Sequence, residues 1–567
     1  MGTLFSTLDI GRAGLQVAQV QLDVAAHNIS NVNTEGYSRQ RANIITRIPN
    51  MTPYGAIGRG PLVAGIERLR DPFLDRVFRQ QAPGLASAEI KASYFNRIED
   101  VFQEPSDDAL GTRIGQFFDA LNDFANNVEE LPVRVSVLSE AQAMTAQLNQ
   151  AANRLAELRT NTNEEVRNLV PEINSLAERI ADMNVTIQET ELTGREANDL
   201  RDRRDVLVDD LARLVNITTQ ERDNGNIDVF LGGDELVVGR SARLLEAVPD
   251  PTIDPDRPDL LLVRFVDSGR DANITDGELA GVLEMRDVHL REVEDKLDTI
   301  AQGLILSINR IHSEGNGLEN ISATLESTNA VNDPNAALNS TGLPFPVQDG
   351  SFDIVVYDSA GNIAETRTIT IDDTTTSLND IAAQIDASPF LDASVDSDGF
   401  LSITPTGGAT FTFSNDTSDA LPALGLNGLL TGSSAATIGV SQHVLDNPLL
   451  LSSGYSTDPT ETGDNEAALD MAAVRNTPVL NGDSQTIDEF YESTVVQLGI
   501  DARANNDVLE VERAFVEDVE GRRQEVAGVN LDEEVTTLIQ FQRAFEASAR
   551  VITITDRMLE TLMGITA

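Results

Sequence analysis

The chain has 567 residues, of which 41% are hydrophobic, so it is long enough for several domains with ample cores. Asp and Glu outnumber Lys and Arg by 92 to 41, and the formal net charge of -51 argues against binding to nucleic acid or to an anionic membrane. The chain contains no cysteine, which excludes disulfide frameworks, thiolate nucleophiles and cysteine-ligated zinc. It also lacks the pattern of a cleaved signal peptide and any long apolar run, so we expect a cytoplasmic protein or one exported without a cleaved signal.

The first predicted element is one long helix at the N-terminus. The larger apolar residues of its stripe recur at the spacing of a heptad seam, and they are Leu4, Leu8, Leu15, Leu22 and Ile29. Small residues at Gly11, Ala18 and Ala25 interleave with them and would let a partner helix approach closely. The segment "NISNVNTEGYSRQ", residues 28–40, then predicts the end of the helix, because Asn and Gly tolerate the left-handed conformation.

Residues 85–215 are predicted to be helical, and Pro171 is expected to kink or restart the helix there. Two heptad phases support this prediction, and their members are Leu148, Leu155, Leu169, Leu176, Met183, Val166, Ile173, Ile180 and Ile187. The charge run "GREANDLRDRRDVLVDDLARLVN", residues 194–216, fits either a solvated helix face or an ionic cluster, and we favour the solvated face.

The middle of the chain is predicted to be rich in strands. Residues 217–265, with Asn-Gly and Gly-Gly turns, predict a β appendage on the helical domain. Residues 316–350 and 431–464 are loop-rich and are predicted to be linkers. Between them, residues 351–430 predict a mostly β inserted domain whose strands close on their own core, with a short helix opened by the capping box of "SLND".

The C-terminal residues carry a second heptad seam. Its apolar members are Leu531, Leu538, Phe541, Phe545, Ile552, Leu559 and Leu562. Either terminus alone fits an ordinary amphipathic helix on a globular core. Two matched seams at opposite ends instead favour helices that pack against copies of the chain or against its relatives, so we predict an assembly interface formed by both seams.

No catalytic pattern accompanies these elements. The histidines His27, His289, His312 and His443 lie far apart in the sequence, without metal-binding or nucleophile motifs around them, and we interpret all four as structural. We therefore expect no enzyme activity, no cofactor and no metal. A surface adhesin and a hydrolase carried on a scaffold remain as alternatives from other functional classes.

Both ends resemble the bacterial flagellar axial proteins, the family of rod, hook and hook-associated proteins. The resemblance rests on "AAHNISNVNTEGYSRQ" and on "GVNLDEEVTTLIQFQRAFEASARVITITDRMLETLMGI". The family-signature residues are Asn28, Asn31, Asn33, Thr34, Gly36, Tyr37, Asn530 and Leu531. The internal blocks "GREANDLRDRRD" and "GELAGVLEMRD", together with "GYSRQ" and "GVNLDEE", point within the family to the hook-associated members.

The resemblance implies an α+β multidomain fold. We expect a terminal coiled-coil domain at 1–40 and 528–567, and a long-helix bundle domain with a β appendage at 41–315 and 465–527. The mostly β inserted domain at 351–430 would lie on the outside of the assembly.

The implied function is a structural subunit that self-assembles at the junction between hook and filament, with another hook or rod component as the alternative. The implied partners are further copies of the chain, the hook protein, hook-associated protein 3 and an export chaperone at the C-terminal helix. The implied location is the extracellular flagellum, reached through the flagellar type III export pathway.

Overall fold

The computed structural model describes residues 2–52, 55–102, 106, 109–192, 194–458 and 460–566. Long helices occupy both ends and most strands lie in the middle, which confirms the predicted α+β class. The chain divides into two compact units: unit 1 is Met1–Ser93, Thr162–Met285 and Ala504–Ala567, and unit 2 is Tyr94–Asn161 and Arg286–Arg503. Among the described residues, no helix has the length and apolar character that crossing a membrane requires.

Helices and strands are numbered in chain order. The N-terminal elements are α1 (Gly2–Ser30), β1 (Gln40–Thr46), β2 (Asn50–Thr52), β3 (Gly55–Ile57), β4 (Pro61–Arg68), α2 (Pro72–Phe102), α3 (Leu110–Asn126), α4 (Leu131–Glu191) and α5 (Asn198–Leu214). The next elements are β5 (Ile217–Glu221), β6 (Ile227–Leu231), β7 (Asp234–Val238), β8 (Ser241–Ala242), β9 (Leu245–Pro249), β10 (Leu261–Phe265), α6 (Glu278–Glu284) and α7 (Leu290–Glu314).

The remaining elements include the second strand-rich region and the C-terminal helices. The strand-rich region contains β11 (Leu325–Glu326), β12 (Gly350–Tyr357), β13 (Ile363–Ile371), α8 (Leu378–Asp386), β14 (Leu391–Val395), β15 (Leu401–Pro405), β16 (Thr410–Ser414), α9 (Ala420–Leu424), β17 (Leu430–Thr431) and β18 (Gly439–Val440). The last helices are α10 (Gln442–Asp446), α11 (Glu466–Ala473), α12 (Ile487–Ala527) and α13 (Leu531–Thr566).

The core of unit 1 lies between a long helix and the first strand-rich region. The C-terminal part of α4 buries Ile173 and Ile180, which belong to one of the predicted heptad phases. Helix α5 adds Leu211, and strands β6 and β10 add Val229 and Phe265 to the same cluster. The strands predicted between residues 217 and 265 are therefore present and share a core with the helices.

Helix α4 runs as one element through Pro171, so the predicted restart of the helix at this proline is wrong. A proline inside a helix removes one backbone hydrogen bond, and its ring crowds the carbonyl four residues earlier, which together cost about 3 kcal/mol. Its neighbours Leu169, Val170 and Ile173 are buried in the same cluster on both sides of it. Packing of this continuous apolar face offsets that cost.

Two sheets build the β region of unit 2. In the sheet with strand order β13-β12-β16, Phe352 and Phe411 each pack edge to face against Phe413. The sheet with order β11-β15-β14 buries Leu401 and Ile403 completely. These five residues lie in strands of the region predicted to be mostly β. The predicted capping box also forms, with Ser377 at the N-cap of α8.

Residues 316–350 are not a linker, which corrects the sequence prediction. Leu325 in β11 pairs with Ile403 in β15, and Ile321 bridges to Phe411. The buried apolar residues of the segment are Ile321, Leu325, Val331, Leu338, Phe345 and Val347. Composition suggested a linker because polar residues dominate the segment, but these scattered apolar side chains complete the β core.

The region 351–430 was predicted to close on its own core, but it also contacts helix α7. Asn309 of α7 donates to the carbonyl oxygen of Leu430 at 2.7 Å and accepts from its backbone nitrogen at 2.9 Å. Arg310 of the same helix forms an ion pair of 2.7 Å with Asp419. The second predicted linker, 431–464, is loop-rich but likewise buries residues such as Leu451. Excision of the β region would therefore uncover a face of α7.

Unit 1 also cuts across the predicted domain boundaries, because it joins the terminal helices to α5 and the first strand-rich region. Ser38, just after the end of α1, gives the physical reason. Its backbone nitrogen and Oγ donate to the carboxylate of Asp202 in α5 at 2.9 and 2.7 Å. The terminal elements are thus bonded into the same unit as the charge run.

Candidate assembly interface at the terminal helices

Helices α1 and α13 pack against each other along the N- and C-terminal seams. A Cβ added at Gly11 would lie 3.0 Å from Cγ1 of Ile552, and one added at Gly14 would lie 2.9 Å from Oγ of Ser548. Both glycines therefore let α13 approach α1 more closely than larger residues would allow.

Glycine, alanine and valine, rather than the leucines, occupy the most buried apolar positions of α1. Its buried side contains Gly11, Ala13, Val17, Ala18, Val24 and Ala25. The larger predicted seam residues are only half-buried, and they are Leu4, Leu8, Leu15, Leu22 and Ile29. The larger seam therefore keeps part of its apolar surface open in the single chain.

Helix α13 leaves even more apolar surface uncovered. The half-buried seam residues are Leu538, Phe541, Phe545, Ile552 and Leu559. The predicted interface residues Leu531 and Leu562 are exposed, as are Val535, Ile539, Ile554 and Met558. One copy of α1 is too narrow to cover these side chains, so a surface suited to further helices remains.

Asn28 links the end of α1 to two other segments. It is 1% exposed, and its Nδ2 donates to the carbonyl oxygen of Gln40 at 3.0 Å and to Oε2 of Glu534 at 3.1 Å. Its Oδ1 accepts from the hydroxyl of Tyr37 at 2.8 Å and from the backbone nitrogen of Gln40 at 2.9 Å. Both donor hydrogens and both acceptor sites of this amide are therefore used, so this position requires an asparagine.

Tyr37 folds back over the end of α1. Its hydroxyl lies 3.0 Å from Nδ1 of His27, and the two rings meet edge to face. Burial, with the nearby carboxylates of Asp199, Asp202 and Glu534, raises the pKa of Tyr37 well above its ordinary value. The phenol therefore remains a neutral hydrogen-bond donor.

The start of α13 is bonded to the same turn. Arg39 donates from Nε to Oε1 of Glu534 at 2.7 Å, and its NH1 lies 3.2 Å from Glu533. Asn530 accepts from the backbone nitrogen of Asp532 at 3.0 Å and so caps α13. Glu534 was not among the predicted site residues, because nothing local in the sequence distinguishes it from its acidic neighbours.

The remaining signature residues shape the turn. Asn31 donates to the carbonyl oxygen of His27 at 3.0 Å, and Thr34 donates to Oδ1 of Asn31 at 3.1 Å. Asn33 is exposed. Gly36 has φ of 70°, and a Cβ there would lie 2.1 Å from Cγ2 of Val206 in α5. Only glycine fits this position.

Gly36→Ala is expected to destabilise unit 1 by about 1 to 3 kcal/mol, because it adds left-handed strain to a clash with Val206. Chemical denaturation of the full chain measures the change. In the Gly36→Ala, Val206→Ala double variant the clash is removed while the strain remains, so the two substitutions should couple favourably. Strictly additive losses would contradict the proposed contact.

A buried ionic network anchors this turn in unit 1. Asp205 of α5 lies 2.8 Å from Arg68, 3.0 Å from Arg70 and 3.2 Å from Arg79. The other ion pairs of the network join Arg68 to Asp202, Arg70 to Asp75, Arg79 to Asp209, and Arg523 to both Asp75 and Asp209. The network therefore connects β4, α2, α5 and α12.

The prediction of a solvated face for residues 194–216 is wrong for the inner side of α5. Burial alone would raise the pKa of Asp205, but the neighbouring Arg70, Arg79 and Arg68 hold it far below its usual range. Burial of the Arg204 side chain lowers its own pKa to about 10. The arginines that pair with α5 lie more than a hundred residues away in the sequence, so no local pattern reveals the cluster.

Two of the four histidines interpreted as structural, His27 and His312, form hydrogen bonds within the fold. His312 is fully buried, accepts from the backbone nitrogen of Ser452 at 3.2 Å, and has its pKa lowered to about 4 by burial.

Among the described residues, the carboxylates of Asp349, Asp372 and Asp373 lie within 4.8 Å of one another. Exposed acidic groups of this kind are common without an ion, so this cluster alone assigns no metal.

Three family models match the chain, and two of them fall on the terminal helices. The flagella basal body rod protein model matches residues 8–37, and the flagellar basal body rod FlgEFG protein C-terminal model matches residues 521–565. The model for the flagellar hook-associated protein FlgK helical domain matches residues 95–325. All three models describe flagellar rod or hook-associated proteins.

Similarity to known proteins extends over the full length of the chain. Flagellar hook-associated protein 1 of Bacillus subtilis is 25% identical over 576 residues, covering 100% of this chain and 99% of the relative. The Salmonella typhimurium protein of the same name is 25% identical over 595 residues, covering 99% of this chain and 100% of the relative. The chain is thus similar over its full length to flagellar hook-associated protein 1, a structural flagellar protein, and its helical region matches the FlgK model.

A solved structure shares the fold. The flagellar hook junction protein FlgK from Burkholderia pseudomallei matches with a TM-score of 0.51 and 16% identity. The match covers 80% of this chain and 100% of that chain.

Proposed function

We propose that the chain is a structural subunit that forms the junction between the flagellar hook and the filament. The proposal combines full-length similarity to hook-associated protein 1 with the open apolar surface of the terminal helix pair. A joint between two tubes needs side-by-side contacts among its own copies and end contacts to each tube. Helices that leave apolar stripes uncovered in the single chain suit such contacts.

Self-association is proposed to bury the remaining surface of both seams. Helix pairs from neighbouring copies would cover the half-buried Leu22 and Leu538 and the exposed Leu531 and Leu562. Complete burial of one such side chain contributes roughly 1.5 to 3 kcal/mol, so several per copy give a stable ring or tube. No catalytic role is proposed, and the ion pairs described above are proposed to stabilise the fold.

The proposed neighbours follow from the place at the junction. They are the hook protein on one side and hook-associated protein 3 on the other. Before assembly, an export chaperone is proposed to cover α13, whose apolar side chains would otherwise promote premature association. The chain would leave the cell through the flagellar type III pathway and act outside it.

Deletion of this chain is expected to leave cells with hooks that carry no filaments. Filament protein would be exported but would have no junction on which to assemble. Electron microscopy of the deletion strain, beside the same strain complemented with the full chain, measures this directly. Normal filaments in the deletion strain would contradict the proposed function, and loss of the hooks themselves would favour a rod or hook component.

A further inference from the structure

A hairpin arm in unit 1 has the opposite charge to the rest of the chain. The arm consists of β1 to β4, in which β1 pairs with β4 and β2 pairs with β3. Residues 38–70 contain six arginines and one glutamate, in a chain with a net charge of -51. Such a segregated positive segment is suited to an acidic partner surface.

The arginines of the arm divide into two groups. Those near its base, Arg39, Arg68 and Arg70, are paired with carboxylates of the same unit. Arg41, near the base, and Arg47 and Arg59, toward the tip, form no ion pair among the described residues. The positive charge of these three arginines is therefore available to bind another molecule.

The tip of the arm also exposes large apolar side chains. Ile48 and Met51 are 85% and 84% exposed, and Ile45 and Ile57 are also exposed. Strands β1 and β4 contact α1, but the side chains at the tip are exposed, and a two-stranded ribbon is only marginally stable in water where no surface covers it. A partner with apolar and acidic groups would stabilise the arm.

Helix α12 presents such a surface on the same chain. Val508, Val511 and Phe515 form an exposed apolar stripe at helical spacing. The exposed acids Asp507, Glu510 and Glu517 accompany it, and none of them forms an ion pair among the described residues. The stripe and its acids match the arm in chemistry.

We propose that the arm of one copy docks on the α12 stripe of a second copy, with Arg41 and Arg59 facing Glu510 and Glu517. This contact rests on the proposed function, because it requires copies to assemble. It goes beyond that function by assigning an arm-to-helix contact separate from the terminal seams. An anionic lipid surface would also attract the arm, but it would not select the acidic stripe.

A disulfide between copies tests the contact. Because the chain has no cysteine, Met51→Cys and Val511→Cys each introduce a unique thiol. Flagella from cells that express both variants with different epitope tags are oxidised and separated by size. We expect a covalent dimer that carries both tags, because a disulfide requires close approach of the two positions. The control pair Met51→Cys with Ser359→Cys, in an exposed turn of the β region, should give none.

Charge exchange provides a second, independent readout. Arg41→Glu with Arg59→Glu should lower the fraction of hooks with filaments by about tenfold, since like charges would then face each other. Adding Glu510→Arg and Glu517→Arg to the same chain should restore attachment. All four side chains are on exposed or partly exposed positions, so circular dichroism should show unchanged folding.

The two proposals fail in different ways. Filament attachment by the unsubstituted chain, compared with bare hooks in the deletion strain, reports the junction function alone. Attached filaments without the two-tag dimer would overturn the arm contact and leave the junction function standing. Loss of attachment that the Glu510→Arg and Glu517→Arg changes do not restore, or cross-linking of Met51→Cys to another molecule only, would also overturn it.

Discussion

Leu22→Asp or Leu538→Asp is expected to abolish filament attachment while the units remain folded. Both leucines are half-buried in the single chain, so each variant can turn its carboxylate partly to solvent before assembly. In the assembly the same position would be enclosed by neighbouring helices. An uncompensated buried charge there costs roughly 3 to 5 kcal/mol per copy, and the cost recurs in every subunit.

Fractionation of secreted protein and of isolated flagella measures the effect of these variants. The variant chains should appear in the medium and be absent from flagella. Gln16→Asp is the matched control, because Gln16 is exposed on the same helix and should tolerate the charge. Normal incorporation of Leu22→Asp and Leu538→Asp would show that the seams are not an assembly interface.

Asp205→Asn is expected to destabilise unit 1 by about 3 to 5 kcal/mol, the range for removing one partner from a buried ion pair. The carboxylate is buried among Arg68, Arg70 and Arg79, and the neutral amide would leave one positive charge uncompensated. Other carboxylates remain nearby, which favours the lower part of this range.

The pH dependence of the Asp205 contribution follows from the direction of its pKa. The folded chain holds the pKa of Asp205 far below its unfolded value. Its stabilising contribution is therefore fully present above the unfolded pKa, near 3.9, and is lost as the pH falls below it toward the folded pKa.

Denaturant unfolding at neutral pH and in acid checks both statements. The difference between the wild-type chain and Asp205→Asn should shrink in strong acid. Asp223→Asn, at an exposed position, is the matched control and should change stability little at either pH. Equal stability of Asp205→Asn and the wild-type chain at neutral pH would contradict the role of the network.

Local periodicity predicted the elements that depend on near neighbours. Helix α1 follows from its heptad seam and from the asparagines and glycine after it, and α8 follows from the capping box at Ser377. The buried phases of α4 were also visible, because the apolar spacing of a helix is repeated many times. Such features depend on residues within a few positions of one another.

Features that depend on distant residues were missed. The partners of Asp205 come from β4 and α2, and Glu534 meets Asn28 across 506 positions of sequence. A charge run looks the same in sequence whether it meets water or arginines. The packed segment 316–350 was missed for a related reason. Its few apolar residues form a core only together with strands that lie farther along the chain.

The position of the chain in the flagellum tests the central claim most directly. Ser359 lies in an exposed turn of a cysteine-free chain, so Ser359→Cys gives one site for a thiol-reactive gold label. Electron microscopy of labelled, motile cells should show gold confined to a narrow band between hook and filament. Gold along the whole filament, along the hook or at the cell body would contradict the assignment of this chain to the junction.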